Sequence, residues 1–477
     1  MALHNAILVV LFGWLSIVRA IPEWPAQWRL AADDTPLRGS RPRSTKIRQT
    51  EDICQAGSPQ WSGTVPVGEN RDMFFWYFES RSEPQKAPLV IWLNGGPGAS
   101  SLLGAFHEIG PCSVSDDGKS TTKNHNSWTN FANMLFIDQP IGAGYSETAD
   151  PVLWSEDLNE GAIDFDKFLD GFFNDLFPEL KQRPLHFAGE SFGGQYLPVY
   201  ASMARRRFAS LILVNALVDF SDSTLGYFHH FCSESKADGP MSTRSFNETA
   251  CLALAAGYST CEKYGSLCGL TYDVELCQTA FDKCLPMMEA IYTQVFSGDL
   301  DPYDDRRKCQ EPPICANMGM EQVQTYLNST KVKQAVGLPE DFHFRPVNFD
   351  LNAHWAQRGQ DFVPSTRQLV HLLDSKQTPI LVMNGNNDVV VNTEGIIRTY
   401  DNLQWSNHAL FRAKKYTPWY FEDDDGSTTL GGMKKTVGNL TVLTVDNAGH
   451  MSPQAQPIGV ADVVAAWLRN SGSRERL

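Results

Sequence analysis

The segment 189–193 has the pattern Gly-x-Ser-x-Gly around Ser191 and directly follows the short apolar run 185–188. This pattern is typical of a sharp strand-to-helix turn that holds a serine hydroxyl above the edge of a sheet. Small residues are needed on both sides because larger ones would collide with the adjoining turn. The pattern also arises by chance at ordinary helix starts. Ser191 is therefore a candidate nucleophile only if a base and an orienting carboxylate accompany it.

Asp388 and His450 are the residues that best fit those two roles. Asp388 follows the apolar run 379–383 and the polar segment 384–387, whereas His450 follows the alternating run 440–445 and a short segment after it. Each lies just beyond the carboxyl end of a predicted strand, where open α/β sheets bind their ligands. Most of the other histidines lack this setting. The chain order Ser, Asp, His is that of α/β-hydrolases and not that of chymotrypsin-like or subtilisin-like proteases.

A glycine-rich loop, 94–101, follows an earlier apolar run, 87–93, which predicts a strand. Backbone N–H groups in such a loop can approach a carbonyl oxygen and stabilise the negative charge that develops on it. A phosphate-binding loop is the alternative interpretation. It is disfavoured because no Gly-Lys-Ser/Thr follows and the spacing of a dinucleotide-binding loop is absent.

With further segments added, the chain resembles the serine carboxypeptidase family of α/β-hydrolases, and it is similar to the secreted fungal members. The resemblance begins near residues 61–80 and spans nearly the whole chain, which chance does not easily produce. The segments that carry it are 92–98, 108–111, 126–128, 138–146, 189–198 and 449–453. It implies an α/β-hydrolase fold with a mostly parallel central sheet, flanking helices and a disulfide-rich helical cap inserted into it.

The resemblance also implies an activity and a set of site residues. The activity is that of a serine-type carboxypeptidase, which releases C-terminal amino acids from peptides and proteins at acidic pH through an acyl-enzyme intermediate. Ser191, Asp388 and His450 form the implied triad, and the backbone N–H groups of Gly96 and Phe192 are the implied oxyanion donors. The residues implied to bind the terminal carboxylate of the peptide are Trp92, Asn94, Gly95, Glu108 and Glu190.

Glu108 and Glu190 explain why the activity should be acidic. Two carboxyl groups that lie close together cannot both ionise easily, so one keeps its proton to a higher pH. The protonated group can donate a hydrogen bond to the substrate's carboxylate, whereas an ionised pair repels it. The alternative interpretation of either glutamate is ordinary surface charge. We therefore expect peptide cleavage to weaken as pH rises through the apparent pKa of the pair.

Two other functions use the same residues differently. An acyltransferase or esterase would keep the fold and the triad but pass the acyl group to an alcohol or hydrolyse an ester. A catalytically silent, disulfide-rich binding protein is disfavoured because every triad and oxyanion element is present.

The sequence departs from the family pattern at two positions. Ala99 stands where many members have a cysteine, so one bridge near the oxyanion loop must be absent or rearranged. Asn386 stands where many members have the first aspartate of a Gly-Asp-x-Asp segment, which leaves Asp388 as the match to the catalytic aspartate. This second departure puts only the local hydrogen bonding of the loop in question.

Length and charge bound the remaining possibilities. A chain of 477 residues can bury a large core, and its net charge is −15, so nucleic acid and anionic membranes are disfavoured as partners.

Residues 1–20 predict a signal peptide, with an apolar run too short to span a membrane. Residues 21–48 predict a removed pro-segment or a flexible arm, and 49–477 a catalytic domain with a cap insertion at about 220–345. We expect a secreted protein, or one delivered through the secretory pathway to an acidic lumenal or vacuolar compartment. The oligomeric state stays open.

Ten cysteines in a secreted chain predict disulfides rather than a metal site. Zinc is disfavoured because the spacings do not form paired Cys-x-x-Cys units, and we expect no metal or other cofactor. The sequence leaves the pairing open. The cysteines within the insertion are Cys232, Cys251, Cys261, Cys268, Cys277, Cys284, Cys309 and Cys315. Asn-x-Ser/Thr sequons predict glycosylation at Asn247, Asn328 and Asn439.

The elements that must position these residues follow from hydrophobic periodicity. Besides the strands already named, the pattern predicts an antiparallel pair at 61–67 and 73–78 and strands at 134–138 and 211–214. It also predicts a helix over 157–177 and an amphipathic helix over 458–468.

Overall fold

The computed structural model describes residues 43–146, 148, 150–232, 246–310, 315 and 319–472. The predicted signal peptide and residues 21–42 of the predicted pro-segment or arm lie outside this part of the chain. Ile47 and Arg48, near the end of that segment, belong to a strand that pairs with the next strand in the chain. The boundaries drawn at residues 20 and 49 stay predictions.

Among the described residues, eleven strands form one mixed sheet and two form a separate hairpin. The strands are β1 (Ile47–Gln49), β2 (Gln60–Gly68), β3 (Arg71–Phe78), β4 (Leu89–Leu93), β5 (Cys112–Val114), β6 (Thr121–Lys123), β7 (Asn133–Ile137), β8 (Leu185–Ser191), β9 (Ser210–Ala216), β10 (Ile380–Gly385), β11 (Thr417–Glu422), β12 (Thr428–Val437) and β13 (Leu440–Val445). β5 and β6 form the hairpin. The order across the large sheet is β1-β2-β3-β7-β4-β8-β9-β10-β13-β12-β11.

The centre of this sheet is parallel and its two sides are antiparallel. The strands from β7 through β4, β8, β9 and β10 to β13 run parallel to one another. Their residues are buried almost without interruption, as expected for parallel strands that are covered on both faces. The predicted mostly parallel central sheet is confirmed, and the predicted antiparallel pair is β2 with β3.

Alternate residues of the central strands enter two different cores. In β4, Leu89, Ile91 and Leu93 pack in one core, whereas Val90 and Trp92 pack in the other. This alternation follows from the two-residue period of a strand. Because a slip of one residue would exchange the two faces, burial on both sides fixes the register. The carboxyl ends of β4, β8, β9, β10 and β13 therefore meet at one edge.

Helices cover the two faces of the sheet and build the insertion. They are α1 (Leu158–Gly171), α2 (Gly193–Met203), α3 (Phe220–Cys232), α4 (Glu248–Thr271), α5 (Val274–Phe296), α6 (Met320–Leu327), α7 (Thr330–Val336), α8 (Phe349–Ala356), α9 (Thr366–Asp374), α10 (Thr393–Asn402), α11 (His408–Ala413), α12 (Ser452–Ala455) and α13 (Pro457–Gly472). Asp157 caps α1 by accepting hydrogen bonds from two backbone N–H groups. The helix predicted over 157–177 is α-helical only as far as Gly171 and continues as a π-helical turn at Phe172–Leu176.

The described residues of the insertion form helices and loops without a strand, as the family resemblance implies. α4 and α5 form an antiparallel pair joined by two disulfides, Cys261–Cys284 and Cys268–Cys277. Two more bridges lie within the insertion, Cys232–Cys251 and Cys309–Cys315, and Cys54–Cys112 joins two segments that precede it. All ten cysteines are therefore paired.

Candidate active site

Ser191 is the last residue of β8 and lies on a strained turn. Its φ is +60°, a left-handed conformation that costs a residue with a side chain about 1–3 kcal/mol. α2 begins at Gly193, so the chain changes from strand to helix within this turn. Gly95 packs closely against it, since a Cβ atom on Gly95 would lie 2.3 Å from the Phe192 nitrogen and 2.8 Å from Ser191 Cβ. The strand-to-helix elbow expected from the sequence is present.

Asp388 and His450 meet beyond the ends of two neighbouring strands. β10 and β13 are adjacent and parallel, with Gly385 opposite Val445, so the loops that follow them leave the same edge of the sheet. Nδ1 of His450 lies 2.7 Å from Oδ2 of Asp388, and both side chains are almost completely buried. Such a hydrogen bond fixes the tautomer and the orientation of the imidazole ring.

The surroundings of His450 favour its protonated form. Burial lowers the pKa of His450, but the charge of Asp388 and the hydrogen bond to it raise the pKa, and the charges of Glu108 and Asp301 add to this rise. The net result is a pKa above the ordinary value of histidine. The nearby carboxylates therefore raise the pKa of His450 by more than burial away from water lowers it.

Ser191 belongs to the same edge of the sheet but is not hydrogen-bonded to His450. β8, β9, β10 and β13 are consecutive in the sheet, so Ser191 lies at the end of the sheet from which the Asp388 and His450 loops leave. The Ser191 hydroxyl forms no hydrogen bond to any residue that the structure describes. Hydrogen bonds of this kind are often long or poorly aligned in enzymes without bound substrate. The structure thus joins Asp388 to His450 and brings Ser191 to their side of the sheet.

The glycine-rich loop after β4 lies against the elbow. Gly96 has a φ of +104°, which residues with side chains rarely adopt. Within the described part of the chain, the N–H groups of Gly96 and Phe192 donate no hydrogen bond. Because Gly95, the residue before Gly96, packs closely against Ser191 and Phe192, both N–H groups lie on the side of the loop that faces this serine. An oxyanion site requires such unoccupied donors.

Asp138 holds this loop in place and was not among the predicted site residues. Its Oδ1 accepts hydrogen bonds from the Ser100 hydroxyl at 2.6 Å and from the Ser101 N–H at 2.9 Å. Its Oδ2 accepts a third from the Tyr145 N–H at 2.8 Å. Burial raises the pKa of Asp138 to about 6, although these hydrogen bonds oppose the rise. The motif 138–146 therefore supports the glycine-rich loop from the neighbouring strand.

The side chains implied to bind a substrate's carboxylate form one buried network. Trp92 Nε1 donates to Asn94 Oδ1 at 2.8 Å. Asn94 Nδ2 donates to Glu108 Oε1 at 3.1 Å and to Glu190 Oε1 at 3.3 Å. The second carboxyl oxygen of each glutamate is buried and has no hydrogen-bond partner among the described residues. Surface charge is therefore the wrong interpretation for both glutamates.

The two glutamates influence each other's ionisation. Burial raises the pKa of Glu190 well above its ordinary value, and the charge of the nearby Glu108 raises it further. The hydrogen bond from Asn94 acts in the opposite direction. Glu190 therefore keeps a proton at a pH at which an exposed glutamate is ionised.

The two departures from the family pattern have simple structural outcomes. Ala99 forms an isolated antiparallel bridge with Val347, and all ten cysteines pair without a partner at this position. Asn386 donates to Asp446 Oδ1 at 2.6 Å and accepts a hydrogen bond from the Thr393 hydroxyl at 3.0 Å. The loop that leads to Asp388 is thus held by hydrogen bonds, although residue 386 is asparagine where many family members have aspartate.

A sheet of this order, with a serine elbow between β8 and α2 and an Asp–His pair beyond β10 and β13, defines the chain as an α/β-hydrolase. Among solved structures, the prohormone-processing carboxypeptidase Kex1Δp of Saccharomyces cerevisiae has the same fold, with a TM-score of 0.70. The match covers 87% of this chain and 92% of that protein at 24% sequence identity. At this identity the likeness establishes the fold alone.

The sequence establishes the family. Residues 52–470 match the family model described as serine carboxypeptidase. Carboxypeptidase Y homolog A of Phaeosphaeria nodorum is 32% identical over 416 residues, which are 86% of this chain and 73% of the relative. The protein of the same name from Emericella nidulans is 30% identical over 433 residues, which are 89% of this chain and 76% of the relative. The chain belongs to the serine carboxypeptidase family, and the predicted enzyme class, a serine-type carboxypeptidase, is confirmed.

Proposed function

We propose that Ser191, His450 and Asp388 carry out the carboxypeptidase reaction of this enzyme. The observation that carries the proposal is the buried hydrogen bond between Asp388 and His450, beside a serine on a strained elbow. A carboxylate that holds Nδ1 leaves Nε2 as the ring nitrogen that can accept a proton. A serine hydroxyl needs such a base to become an effective nucleophile.

In the first half of the reaction, Ser191 Oγ attacks the carbonyl carbon of the last peptide bond and passes its proton to Nε2 of His450. The carbonyl oxygen becomes negatively charged, and the N–H groups of Gly96 and Phe192 stabilise it. The carbon–nitrogen bond then breaks, and the leaving amino group takes the proton from His450. The C-terminal amino acid departs, and the shortened peptide remains as an ester on Ser191.

In the second half, water replaces the departed amino acid. His450 takes a proton from the water, whose oxygen attacks the ester carbonyl carbon. The bond to Ser191 Oγ then breaks, Ser191 recovers its proton from His450, and the peptide leaves with a new C-terminal carboxylate. The same two N–H groups stabilise the charge in this step.

The network of Trp92, Asn94, Gly95, Glu108 and Glu190 restricts the reaction to chain ends. Its two buried carboxyl oxygens without hydrogen-bond partners suit a ligand group that accepts a hydrogen bond, provided that the pair carries a proton. A peptide carboxylate is such a group, whereas an internal peptide bond offers no charge at this position. The substrates are therefore peptides and proteins with a free C-terminus.

The pH dependence follows from the raised pKa of Glu190. Below that pKa the pair can donate a hydrogen bond to the substrate's carboxylate, and above it the two anions repel the substrate, so kcat/KM for peptides falls as pH rises.

Incubation with a peptide library at acidic and neutral pH, followed by mass spectrometry of the products, tests this proposal. We expect residues to be lost one at a time from the C-terminus, fastest at acidic pH, and not from the same peptides with amidated ends. An organophosphonate should label Ser191, and Ser191→Ala should abolish both labelling and cleavage. Internal cleavage, or labelling that survives in Ser191→Ala, would contradict the proposal.

The compartment follows from the disulfides. Five bridges indicate that the chain matures in an oxidising environment. The protein is secreted, or it reaches an acidic lumenal or vacuolar compartment through the secretory pathway, with residues 1–20 as its signal. No helix among the described residues has the length and apolar character needed to cross a bilayer.

The three sequons differ in how easily a glycan could be attached. Asn247 is exposed at the start of α4, and its side-chain oxygen accepts a hydrogen bond from the Ala250 N–H. The amide nitrogen of Asn328, by contrast, donates to the carbonyl oxygens of Gln324 and Phe344, and glycosylation would remove one of these hydrogen bonds. Asn439 donates to the Gln377 carbonyl at 3.2 Å. Asn247 is therefore the most accessible of the three sites.

A further inference from the structure

Asn215 is the penultimate residue of β9, which lies between the strand that carries Ser191 and the strand that leads to Asp388. It is fully buried and has a φ of +43°, in the left-handed region that asparagine tolerates better than most residues. A buried amide at the end of an apolar strand is unfavourable unless its hydrogen bonds are made. The partners of this amide therefore indicate what the residue does.

The side-chain amide of Asn215 contacts three different segments. Its Nδ2 donates to Asp388 Oδ2 at 2.8 Å and to the Gly449 carbonyl oxygen at 3.2 Å. Its Oδ1 accepts a hydrogen bond from the Gly385 N–H at 3.4 Å. Gly385 ends the strand before the Asp388 loop, and Gly449 directly precedes His450. One side chain thus binds the carboxylate, the strand that leads to it and the residue next to the imidazole.

The carboxylate oxygen that Asn215 binds is the one that faces His450. Asp388 Oδ2 receives hydrogen bonds from Asn215 at 2.8 Å and from His450 at 2.7 Å, whereas Oδ1 receives one from the Val391 N–H at 3.1 Å. With donors on both oxygens, the carboxyl group cannot rotate without losing hydrogen bonds in a buried site. Each lost bond there leaves a polar atom unsatisfied.

The same strand end also contacts the nucleophile segment. The Leu217 N–H, just after β9, donates to the Ser191 carbonyl at 2.8 Å. A Cβ atom on Gly194, near the start of α2, would lie 2.4 Å from the Leu217 carbonyl oxygen. The end of β9 is therefore attached to the elbow on one side and to Asp388 and Gly449 on the other.

We infer that Asn215 is a positioning residue that holds Asp388 against His450 and keeps their two loops at the separation that proton transfer requires. This inference rests on the proposed triad. Asn215 acts through Asp388, so its loss should lower kcat and leave KM nearly unchanged.

The charges around the pair give the sign of a second effect. His450 is faced by Asp388, Glu108 and Asp301, and Asp388 lies near Glu190 and the hydroxyls of three buried tyrosines, Tyr227, Tyr292 and Tyr303. Asn215 Nδ2 is the neutral donor that partly offsets the charge of Asp388. When it is removed, the carboxylate attracts the imidazolium more strongly, so the acid limb of the kcat/KM profile should move to higher pH.

The test compares Asn215→Gly with wild type and with Asn133→Gly. Glycine suits the backbone at residue 215, and Asn133 is a buried asparagine in β7 that bonds Ser80, Pro84 and Ala87 away from the site. We expect Asn215→Gly to lower kcat on the order of 100-fold, as a displacement of about 1 Å can do, with KM within about twofold and the acid limb raised. Asn133→Gly should lower the melting temperature without changing kcat or the limb.

A kcat within about twofold of wild type, or a lower kcat with an unmoved acid limb, would overturn the inference. If Asn215→Gly does not fold, Asn215→Ala removes the same donor and keeps a Cβ atom, and the same shift is expected. Ser191→Ala and Asp388→Ala, measured in parallel, distinguish a failure of the proposed triad from a failure of the positioning role. If they retain activity, the proposed triad is wrong, whereas if they lose it and the Asn215 variants do not, only the positioning role is wrong.

Discussion

Among the described residues, two buried histidine–aspartate pairs of similar composition occupy different parts of the molecule. His450 Nδ1 lies 2.7 Å from Asp388 and His230 Nε2 lies 3.2 Å from Asp305, and no side chain in either pair is more than 2% exposed. The first pair lies beyond two parallel strands, on the same edge as the Ser191 elbow. The second joins α3 to a loop of the insertion. Residue type and burial alone therefore do not distinguish the pair that we propose as catalytic from the other pair, whereas position at the sheet edge does.

The second pair attaches the insertion to the loops of the first. Asp305 Oδ1 accepts a hydrogen bond from Asn387 Nδ2 at 2.9 Å, next to Asp388. Two residues earlier, the Tyr303 carbonyl accepts a hydrogen bond from the His450 N–H at 2.7 Å. The insertion thus supports both proposed catalytic loops directly. Substitutions in the two pairs should therefore distinguish a loss of catalysis from a loss of stability.

The largest effect is expected from Asp388→Asn. The amide cannot hold the imidazole in the tautomer that accepts the serine proton, and kcat should fall about 10,000-fold with the fold retained. Peptide hydrolysis measures the loss, and circular dichroism with a melting curve checks the fold. A loss of less than about tenfold would mean that the first pair is structural too.

Asp305→Ala should lower the stability of the protein and have much less effect on kcat. His230 and Asn387 would lose their shared acceptor in a buried site, so the free energy of unfolding should fall by about 2–3 kcal/mol, while kcat should change by less than about tenfold. Urea unfolding measures the stability. Asp299→Ala, at an exposed aspartate in the same region, is the matched control and should be nearly neutral. A catalytic loss as large as that of Asp388→Asn would erase the distinction between the pairs.

Glu190→Gln should change the pH profile more than the maximum rate. Glutamine donates hydrogen bonds at every pH, so the fall of kcat/KM towards alkaline pH, up to about tenfold per pH unit in wild type, should become shallower for a peptide with a blocked N-terminus. An ester substrate without a C-terminal carboxylate is the control and should show no such fall in either protein. Flat peptide profiles in both proteins would refute the carboxylate-binding role.

The smallest effect concerns stability. The pKa of His450 is raised in the folded protein, so its contribution is fully present below the unfolded pKa of about 6.5 and is lost as pH rises through the folded pKa. His450→Gln should remove this part of the pH dependence, about 1.4 kcal/mol for each pH unit by which the pKa is raised. Melting curves between pH 5 and about 9 measure it. An identical pH dependence in the two proteins would contradict the raised pKa.

The sequence was sufficient for the elements with strong local patterns. The central strands, the Ser191 elbow and the two loops after β10 and β13 all follow from apolar runs that end in glycine, asparagine or aspartate. These features depend on residues close together in the chain. The chain order of serine, aspartate and histidine then fixed the fold class.

The supporting residues could not be predicted in the same way. Asn215, Asp138 and Asp305 bind partners as far as 37 to 234 residues away in the chain, although Asp138 also binds Tyr145, only 7 residues away. No local pattern encodes the distant contacts. A polar residue at the end of an apolar strand was the one available signal for Asn215. The cysteine pairing was open for the same reason, because ten cysteines permit many combinations. The packing of α4 on α5 selects two of the five pairs, and the other three depend on contacts elsewhere in the fold.

The arrangement of the bridges has a consequence for how the chain is made. Four of the five close within the insertion and the fifth closes before it, so no covalent link joins the insertion to β10 or β13. As the polypeptide emerges during synthesis, each part can complete its own oxidation before the last parallel strands have left the ribosome. Final assembly of the Asp388 and His450 loops then depends on noncovalent contacts alone, and it stays reversible after every thiol has been consumed.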